Sequence, residues 1–241
     1  MSGRVAVVIP AKDEATRIAA TVASARTIEG VDLVLVVDDG SADQTSALAA
    51  GAGATVTRHP RPRGKAAAME TGAELVRLLD QQDGVPAPRA LLFLDADLEV
   101  SAANAAPLLP PVLAGTADMT IATLPRQSQP GGGRGLVVNL SRKGIAAATG
   151  FEATQPLSGQ RCLTRAAYDA ALPLASGFGV ETGLTIDLLR AGFRVQEVEV
   201  ELHHRVTGTD VRAQLHRARQ YRDVALALAA RRRDRHSPHH Q

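Results

Sequence analysis

In the first hundred residues, short apolar runs alternate with helical patterns, and this restricts the architecture more than any other feature of the chain. Apolar runs at Val5–Ile9 (ended by Pro10), Val31–Val37, Ala54–Thr57 and Leu91–Leu94 read as strands. Between them lie helical stretches over residues 14–26, 43–50 (stopped by Gly51) and 64–79. Strands that are apolar at nearly every position must be buried on both faces. A parallel sheet with helices on both sides provides that burial. Because parallel neighbours need crossover connections, the loops that follow the strands gather at one edge, where open α/β sheets bind ligands.

Chemistry is concentrated at that edge. Asp13 and Glu14 follow the first strand, Asp38 and Asp39 the second, and Asp95 and Asp97 the fourth. Arg63-Gly64-Lys65 opens the third helix, whose amino end attracts anions. Asp95 and Asp97 are spaced i, i+2, so they aim together from a strand end and want a cation. A hard divalent ion that keeps waters and takes phosphate oxygens suits them. The plainer alternative is that Asp95 caps the next segment and Asp97 is solvated. Three acidic strand ends and one basic helix start together describe a pocket for a ligand bearing phosphates and hydroxyls. No G-x-G-x-x-G follows the first strand and no P-loop is present; Gly131-Gly132-Gly133 is preceded by loop, so it is no dinucleotide fingerprint either.

Beyond residue 99 the pattern is less regular. Helices are expected near 102–113, 136–148, 180–189 and 210–231, strands at 119–122 and 195–202, a further segment at 159–163 between them, and a loop over 125–135. In the last helix Val211, Leu215, Ala218, Val224, Ala225 and Leu228 make an apolar stripe, with Arg212, His216 and Arg219 on another face. The expected organisation is one unit over 1–99, a second unit of the same domain over 100–205, a basic amphipathic helix over 206–235, and a tail over 236–241.

Length and composition set the outer limits. The 241 residues allow one substantial core, 45% are hydrophobic and 22% charged, and aromatics are only 2%, so Ala, Val and Leu must fill the interior. The single Cys162 excludes an internal disulfide and reads as a small core residue. No apolar run approaches the roughly 18 residues of a membrane span, and the first four residues lead straight into a strand. The expected location is therefore cytoplasmic, with peripheral contact at the inner membrane face as an extension. From Arg205 to Arg235 nine arginines face three acids. Without interleaved aromatics this favours phosphate ligands or an anionic surface, and no nucleic acid is expected as a partner.

These residues carry a resemblance. Val8-Ile9-Pro10-Ala11-Lys12-Asp13-Glu14, Val37-Asp38-Asp39-Gly40-Ser41-Ala42-Asp43-Gln44-Thr45, Gly64-Lys65 and Asp95-Ala96-Asp97 occur in the order and spacing of GT-A glycosyltransferases of family 2 type. The second half is similar to glucosyl-3-phosphoglycerate synthases and, more distantly, to dolichyl-phosphate mannose synthases. That similarity rests on Gly131-Gly132-Gly133-Arg134, Gln155-Pro156-Leu157-Ser158-Gly159, the Gly177–Leu184 stretch and His204-Arg205. The resemblance implies an α/β fold of GT-A type, a Rossmann-like nucleotide-binding sheet with helices on both faces, fused to a smaller acceptor-binding subdomain.

It also implies roles. Pro10, Ala11, Glu14 and Asp39 would line the nucleotide, Lys65 would lie near the nucleotide or its phosphates, and Asp95 would face the sugar or ribose. Asp97 and His204 would hold Mg2+ or Mn2+. Gly133 and Arg134 would approach the acceptor's anionic group. Glu181 would sit near the reacting sugar as a candidate base; its plain reading is an acid in the first turn of a helix. The implied activity is transfer of a hexose from a UDP- or GDP-linked sugar to a small anionic acceptor, with a homodimer among the expected assemblies. Two positions depart from the phosphoglycerate-using pattern: Leu136 and Val206 stand where those enzymes place polar residues. The alternatives are a polyprenyl-phosphate glycosyltransferase at a membrane surface and a non-catalytic nucleotide-sugar-binding protein. A sugar nucleotidyltransferase would need a Gly-rich basic loop after the first strand, where Pro10–Glu14 stands instead.

Overall fold

The computed structural model describes residues 4–84, 87–125, 134–202 and 211–233, leaving aside the side chains of residues 134, 211–217 and 233. Seven strands form one sheet: β1 (Val5–Ala11), β2 (Val31–Asp38), β3 (Thr55–Arg58), β4 (Ala90–Phe93), β5 (Met119–Thr123), β6 (Arg161–Leu163) and β7 (Val195–Glu199). Their order is β3-β2-β1-β4-β6-β5-β7. The four strands of the first hundred residues are mutually parallel, as their apolar runs predict. β6 is antiparallel to both β4 and β5, so the sheet is mixed rather than wholly parallel. This reversal has a functional consequence: the amino end of β6 comes to the same edge as the carboxyl ends of β1, β2 and β4. The sheet also runs unbroken past residue 99, so both halves of the chain share it.

Side chains of consecutive strand residues point to opposite faces, and each face is fully covered. On one side Val5, Val7, Ile9, Val36 and Leu92 pack against α1 (Ile18–Ala25), a 3-10 helix (Glu99–Leu108) and α4 (Leu109–Leu113). On the other, Ala6, Val8, Leu35, Val37, Leu91 and Phe93 meet α3 (Lys65–Gln82), α6 (Arg165–Ala170) and α7 (Val180–Arg190). The remaining helices are α2 (Thr45–Gly51), α5 (Arg134–Thr149) and α8 (Val211–Arg233). A separate apolar cluster of Val137, Ile145, Ala153, Ile186, Val224 and Leu228 joins α5, α7 and α8.

Several local expectations give way to tertiary context. Pro10 does not end β1; it lies inside the strand, in register with Val37. Past Val8 the strand has lost its β4 neighbour, so a residue without an N–H is tolerated there. The expected helix from residue 14 starts at Ile18, because residues 13–15 are held to the opposite loop: Asp13 N donates to Ser41 Oγ (2.9 Å), Glu14 N to Thr45 Oγ1 (2.9 Å) and Ala15 N to Asp43 Oδ2 (3.1 Å). Gly51 is helical, and the turn comes at Gly53, whose φ of +93° a side chain would resist. Residues 99–108 wind as a 3-10 helix, since Pro107, Pro110 and Pro111 remove donors that an α-helix over 102–113 would need. The six-residue α6, capped by Thr164 accepting from Ala167 N, is too short to show in periodicity. β7 stops at Glu199, where its ladder with β5 ends.

On α8 the buried residues are Val224, Ala227 and Leu228, while Ala218 is exposed. The stripe is rotated from the expected one because the helix must meet α5 and α7 together. Arg231 reinforces that seat by donating from Nε to Asp187 Oδ1 (2.7 Å). Val211, Leu215, Arg212 and His216 lie outside the described side chains. Among the described residues no helix is long and apolar enough to cross a membrane.

Candidate active site

The edge where β1, β2 and β4 end carries the chemistry that the alternation points to. After Phe93 the chain continues as Leu94-Asp95-Ala96-Asp97, and Leu94 N still bonds to Val8 O (3.2 Å). The following turn is fastened by Thr21 of α1, fully buried, which donates to Ala96 O (2.8 Å) and accepts from Glu99 N (2.8 Å). Asp95 and Asp97 therefore project from a backbone that is held on both sides.

Lys65 is the centre of the site. Its Nζ lies 2.8 Å from Asp95 Oδ1 and 2.9 Å from Glu181 Oε1, tying the first residue of α3 to the end of β4 and to the first turn of α7. Gln160 completes the grip, donating from Nε2 to Asp95 Oδ2 (2.6 Å). Burial opposes the charge on Lys65, but the Asp95 and Glu181 carboxylates outweigh it and hold the ammonium above the ordinary lysine range. The lysine is thus protonated throughout the physiological range. Glu181 is 8% exposed, so its helix-terminal place comes with a specific ion pair.

Gln160 is the residue that motif reading misses. It is 1% exposed and stands just before β6, and only the antiparallel course of that strand brings it to the carboxylates. Its neighbour Arg161, also 1% exposed, braces the turn by donating to Ser158 O (2.9 Å), Pro156 O (3.0 Å) and Thr185 Oγ1 (2.8 Å). None of those partners is charged. Burial therefore lowers the Arg161 pKa to about 10, with Glu181 and Glu197 acting the other way at longer range. Gly159 fits because it has no side chain: a Cβ there would sit 2.6 Å from Lys65 Nζ and 2.9 Å from both Asp95 oxygens.

The other residues singled out fall into distinct environments. Pro10 is half-buried and Ala11 is 3% exposed, together forming a backbone wall; Ala11 O accepts from Asp39 N (2.8 Å). Glu14 is paired with Arg17 (Nη2 to Oε2, 2.6 Å). Asp38 is fully buried and bonded to Ser41 N (2.7 Å) and Ser46 Oγ; burial works against its ionisation, and these hydrogen bonds keep its carboxyl below the usual range. Asp39 is 6% exposed, and its oxygens accept from Arg63 N (2.7 Å), Gly64 N (2.8 Å) and His59 Nδ1 (2.6 Å). Cys162 is fully buried, and burial pushes its thiol up to about 12, which leaves it unreactive.

Asp97 differs from its neighbours. It is half-buried and, among the described residues, accepts no hydrogen bond and makes no ion pair; Arg17 is the cation whose field reaches it. A carboxylate held at a strand end with no donor on it among the described residues suits a hard divalent cation whose other ligands are waters and phosphate oxygens. Among the described residues no three His, Cys, Asp or Glu side chains converge as a metal site. Gly133, the Arg134 side chain and His204 lie outside the described residues, so the acceptor grip and the second expected metal ligand are not placed.

The model of glycosyl transferase family 2 matches residues 6–169, which span six of the seven strands and include Lys65, Asp95, Asp97 and Gln160. The chain belongs to glycosyl transferase family 2. A curated relative, glycosyltransferase AglJ of Haloferax volcanii, is 29% identical over 214 residues, covering 86% of this chain and 65% of that protein. This chain thus spans just under two thirds of that relative's length. Among solved structures, glucosyl-3-phosphoglycerate synthase of Mycobacterium tuberculosis with Mn2+, UDP and phosphoglyceric acid superposes with a TM-score of 0.72 at 28% identity, over 95% of this chain and 78% of that one. The same enzyme with Mn2+, UDP-glucose and phosphoglyceric acid gives 0.71 at 28%, over 95% and 79%. The match extends over nearly the whole chain, so the mixed sheet is shared with a GT-A enzyme.

Proposed function

We propose that this chain transfers a hexose from a UDP-linked donor to a small acceptor bearing phosphate, assisted by Mg2+ or Mn2+. One observation carries the reading: a single lysine joins a carboxylate from each half of the chain, one of them two residues from Asp97, whose own carboxylate makes no hydrogen bond or ion pair among the described residues. Family membership and the metal- and UDP-bound structural neighbours support it. Asp97 would hold the cation, with His204 as the second expected ligand. When bound, the ion neutralises charge on the departing diphosphate.

The protein's own groups do the rest. Pro10 and Ala11 give the nucleotide a rigid wall. Lys65 holds Asp95 and Glu181 in fixed orientation, so little reorganisation remains when charge develops at the sugar. Gly159 and Gln160 close the far side and keep Asp95 turned toward Lys65. Glu181 would accept the hydrogen bond of an acceptor hydroxyl. Leu136, 78% exposed on the first turn of α5, replaces a polar acceptor contact of the phosphoglycerate-using enzymes. The acceptor is accordingly expected to be a different phosphate ester.

Thermal shift with UDP and GDP, with and without Mn2+, tests the donor side. A rise in Tm that needs UDP and metal together is expected; stabilisation by GDP alone would reassign the base. Turnover of UDP-sugars with phosphorylated small acids tests the acceptor. Transfer to polyprenyl phosphate but to no small phosphate would move the activity to lipid. The close fit at Gly159 makes a further prediction. Gly159→Ala is expected to cut donor turnover by about tenfold or more, since the new methyl displaces Lys65 or Asp95. Its Tm should fall only a few degrees. Undiminished turnover would show that the packing at Gly159 is irrelevant to the chemistry.

A further inference from the structure

The loop between β3 and α3 holds a buried polar chain that the proposed reaction does not use directly. His59, 4% exposed, follows β3, and its backbone N–H bonds to Asp38 O (2.9 Å). Its ring joins two elements: Nδ1 lies 2.6 Å from Asp39 Oδ1, and Nε2 lies 2.9 Å from Thr71 Oγ1, in the second turn of α3. An ionised Asp39 can only accept, so Nδ1 carries the proton, and in the neutral ring Nε2 accepts from the Thr71 hydroxyl. Asp39 in turn receives Arg63 N and Gly64 N, the two amides just ahead of Lys65. Gly40 presses on the same loop, with room for no Cβ beside Pro62 (2.9 Å to its Cδ). Burial works against the Asp39 charge, and the His59 and backbone hydrogen bonds hold its carboxyl below the usual range.

We infer that His59 and Asp39 form a clamp on residues 59–64 that sets the start of α3, and with it the position of the Lys65 ammonium. His59 is thus a positioning residue for the site, acting through Asp39 and Thr71. The geometry favours this over a role in contacting substrate, because both ring nitrogens are occupied and the ring is buried. A clamp of this kind explains why a loop with two prolines and three exposed arginines or glycines can present one lysine to two carboxylates at hydrogen-bond distance.

The inference rests on the proposed function only in its second half, so two readouts are needed. An asparagine amide nitrogen falls near the place of histidine Nδ1, whereas a glutamine amide falls near Nε2. His59→Asn therefore preserves the Asp39 contact and His59→Gln the Thr71 contact. Amide exchange of Arg63 and Gly64 in the full chain is expected to speed up at least tenfold in His59→Gln and to recover in His59→Asn. The dissociation constant for UDP with Mn2+, by calorimetry, should rise about tenfold in the former and recover to within about threefold in the latter. Should His59→Gln fail to fold, His59→Leu, which fills the ring's space but gives up the Asp39 contact, takes its place in both measurements. Unchanged exchange at residues 63 and 64 overturns the clamp. Faster exchange with unchanged UDP affinity, or losses in both variants that only follow Tm, overturns its positioning role. Failure of the unmodified protein to bind UDP with Mn2+ would overturn the functional reading, while the exchange data would still decide the clamp.

Discussion

Asp97→Ala is expected to lower metal-dependent turnover of a UDP-sugar by roughly a thousandfold, equivalent to about 4 kcal/mol of transition-state stabilisation. The size follows from what the carboxylate does and from what it does not do. It makes no hydrogen bond or ion pair among the described residues, so the fold loses little when it goes. The turn that carries it is held by Thr21 and not by Asp97 itself. Thermal stability without ligand should therefore stay within a few degrees, and the Mn2+-dependent part of the UDP-induced thermal shift should vanish. Asp97→Asn keeps shape but removes charge and should lose nearly as much, because a neutral amide is a poor ligand for a hard cation. Full turnover in either variant would rule out the assigned metal position. Removal of metal from the unmodified protein by a chelator should reproduce the turnover loss, and added Mn2+ should reverse it.

Lys65→Met should reduce turnover by about a hundredfold, near 2.7 kcal/mol, with a change in stability that Asp97→Ala does not share. Methionine matches much of the lysine stem but removes the cation that Asp95 and Glu181 share. Like charges in a partly buried site repel, and each carboxylate loses a hydrogen-bond donor. Lys65→Arg restores charge yet should recover little. The space above Nζ is closed by Gly159, where even one added carbon would lie 2.6 Å away, so a planar guanidinium does not fit. The kinetic signature separates this from a purely structural defect: kcat is expected to fall in the arginine variant even where Tm returns to normal. Recovery of kcat by Lys65→Arg would show that charge alone matters and that the geometry of the contact does not.

Much of the strand-end part of this site was legible in the sequence because a parallel sheet makes position predictable. Once Val5–Ile9, Val31–Val37 and Leu91–Leu94 are read as buried parallel strands, the residues after each must lie at one edge. Asp95, Asp97 and Lys65 follow without further information. Asp39 shows the limit of that inference. Its place at the edge was predictable, whereas its inward turn toward His59, Arg63 N and Gly64 N depends on a loop conformation that no periodicity encodes. Helix ends fared similarly. Gly51 and Gly53 look alike in sequence, and only the positive φ at Gly53 marks the true turn.

The sequence alone determined the α/β class, the alternation that brings acidic strand ends together, and the resemblance to family 2, because each depends on local hydrophobic period and residue spacing. Tertiary structure decided the rest. It reversed β6, so that Gly159 and Gln160 come up against Asp95 from more than sixty positions later in the chain. It turned Glu181 from a helix-terminal acid into the partner of Lys65, and it buried Arg161 among carbonyls to hold the turn between them. The physical reason is common to all three. Strand direction and side-chain pairing between distant segments are chosen by the packing of the whole sheet and its helices, a sum over contacts that no short stretch of chain contains.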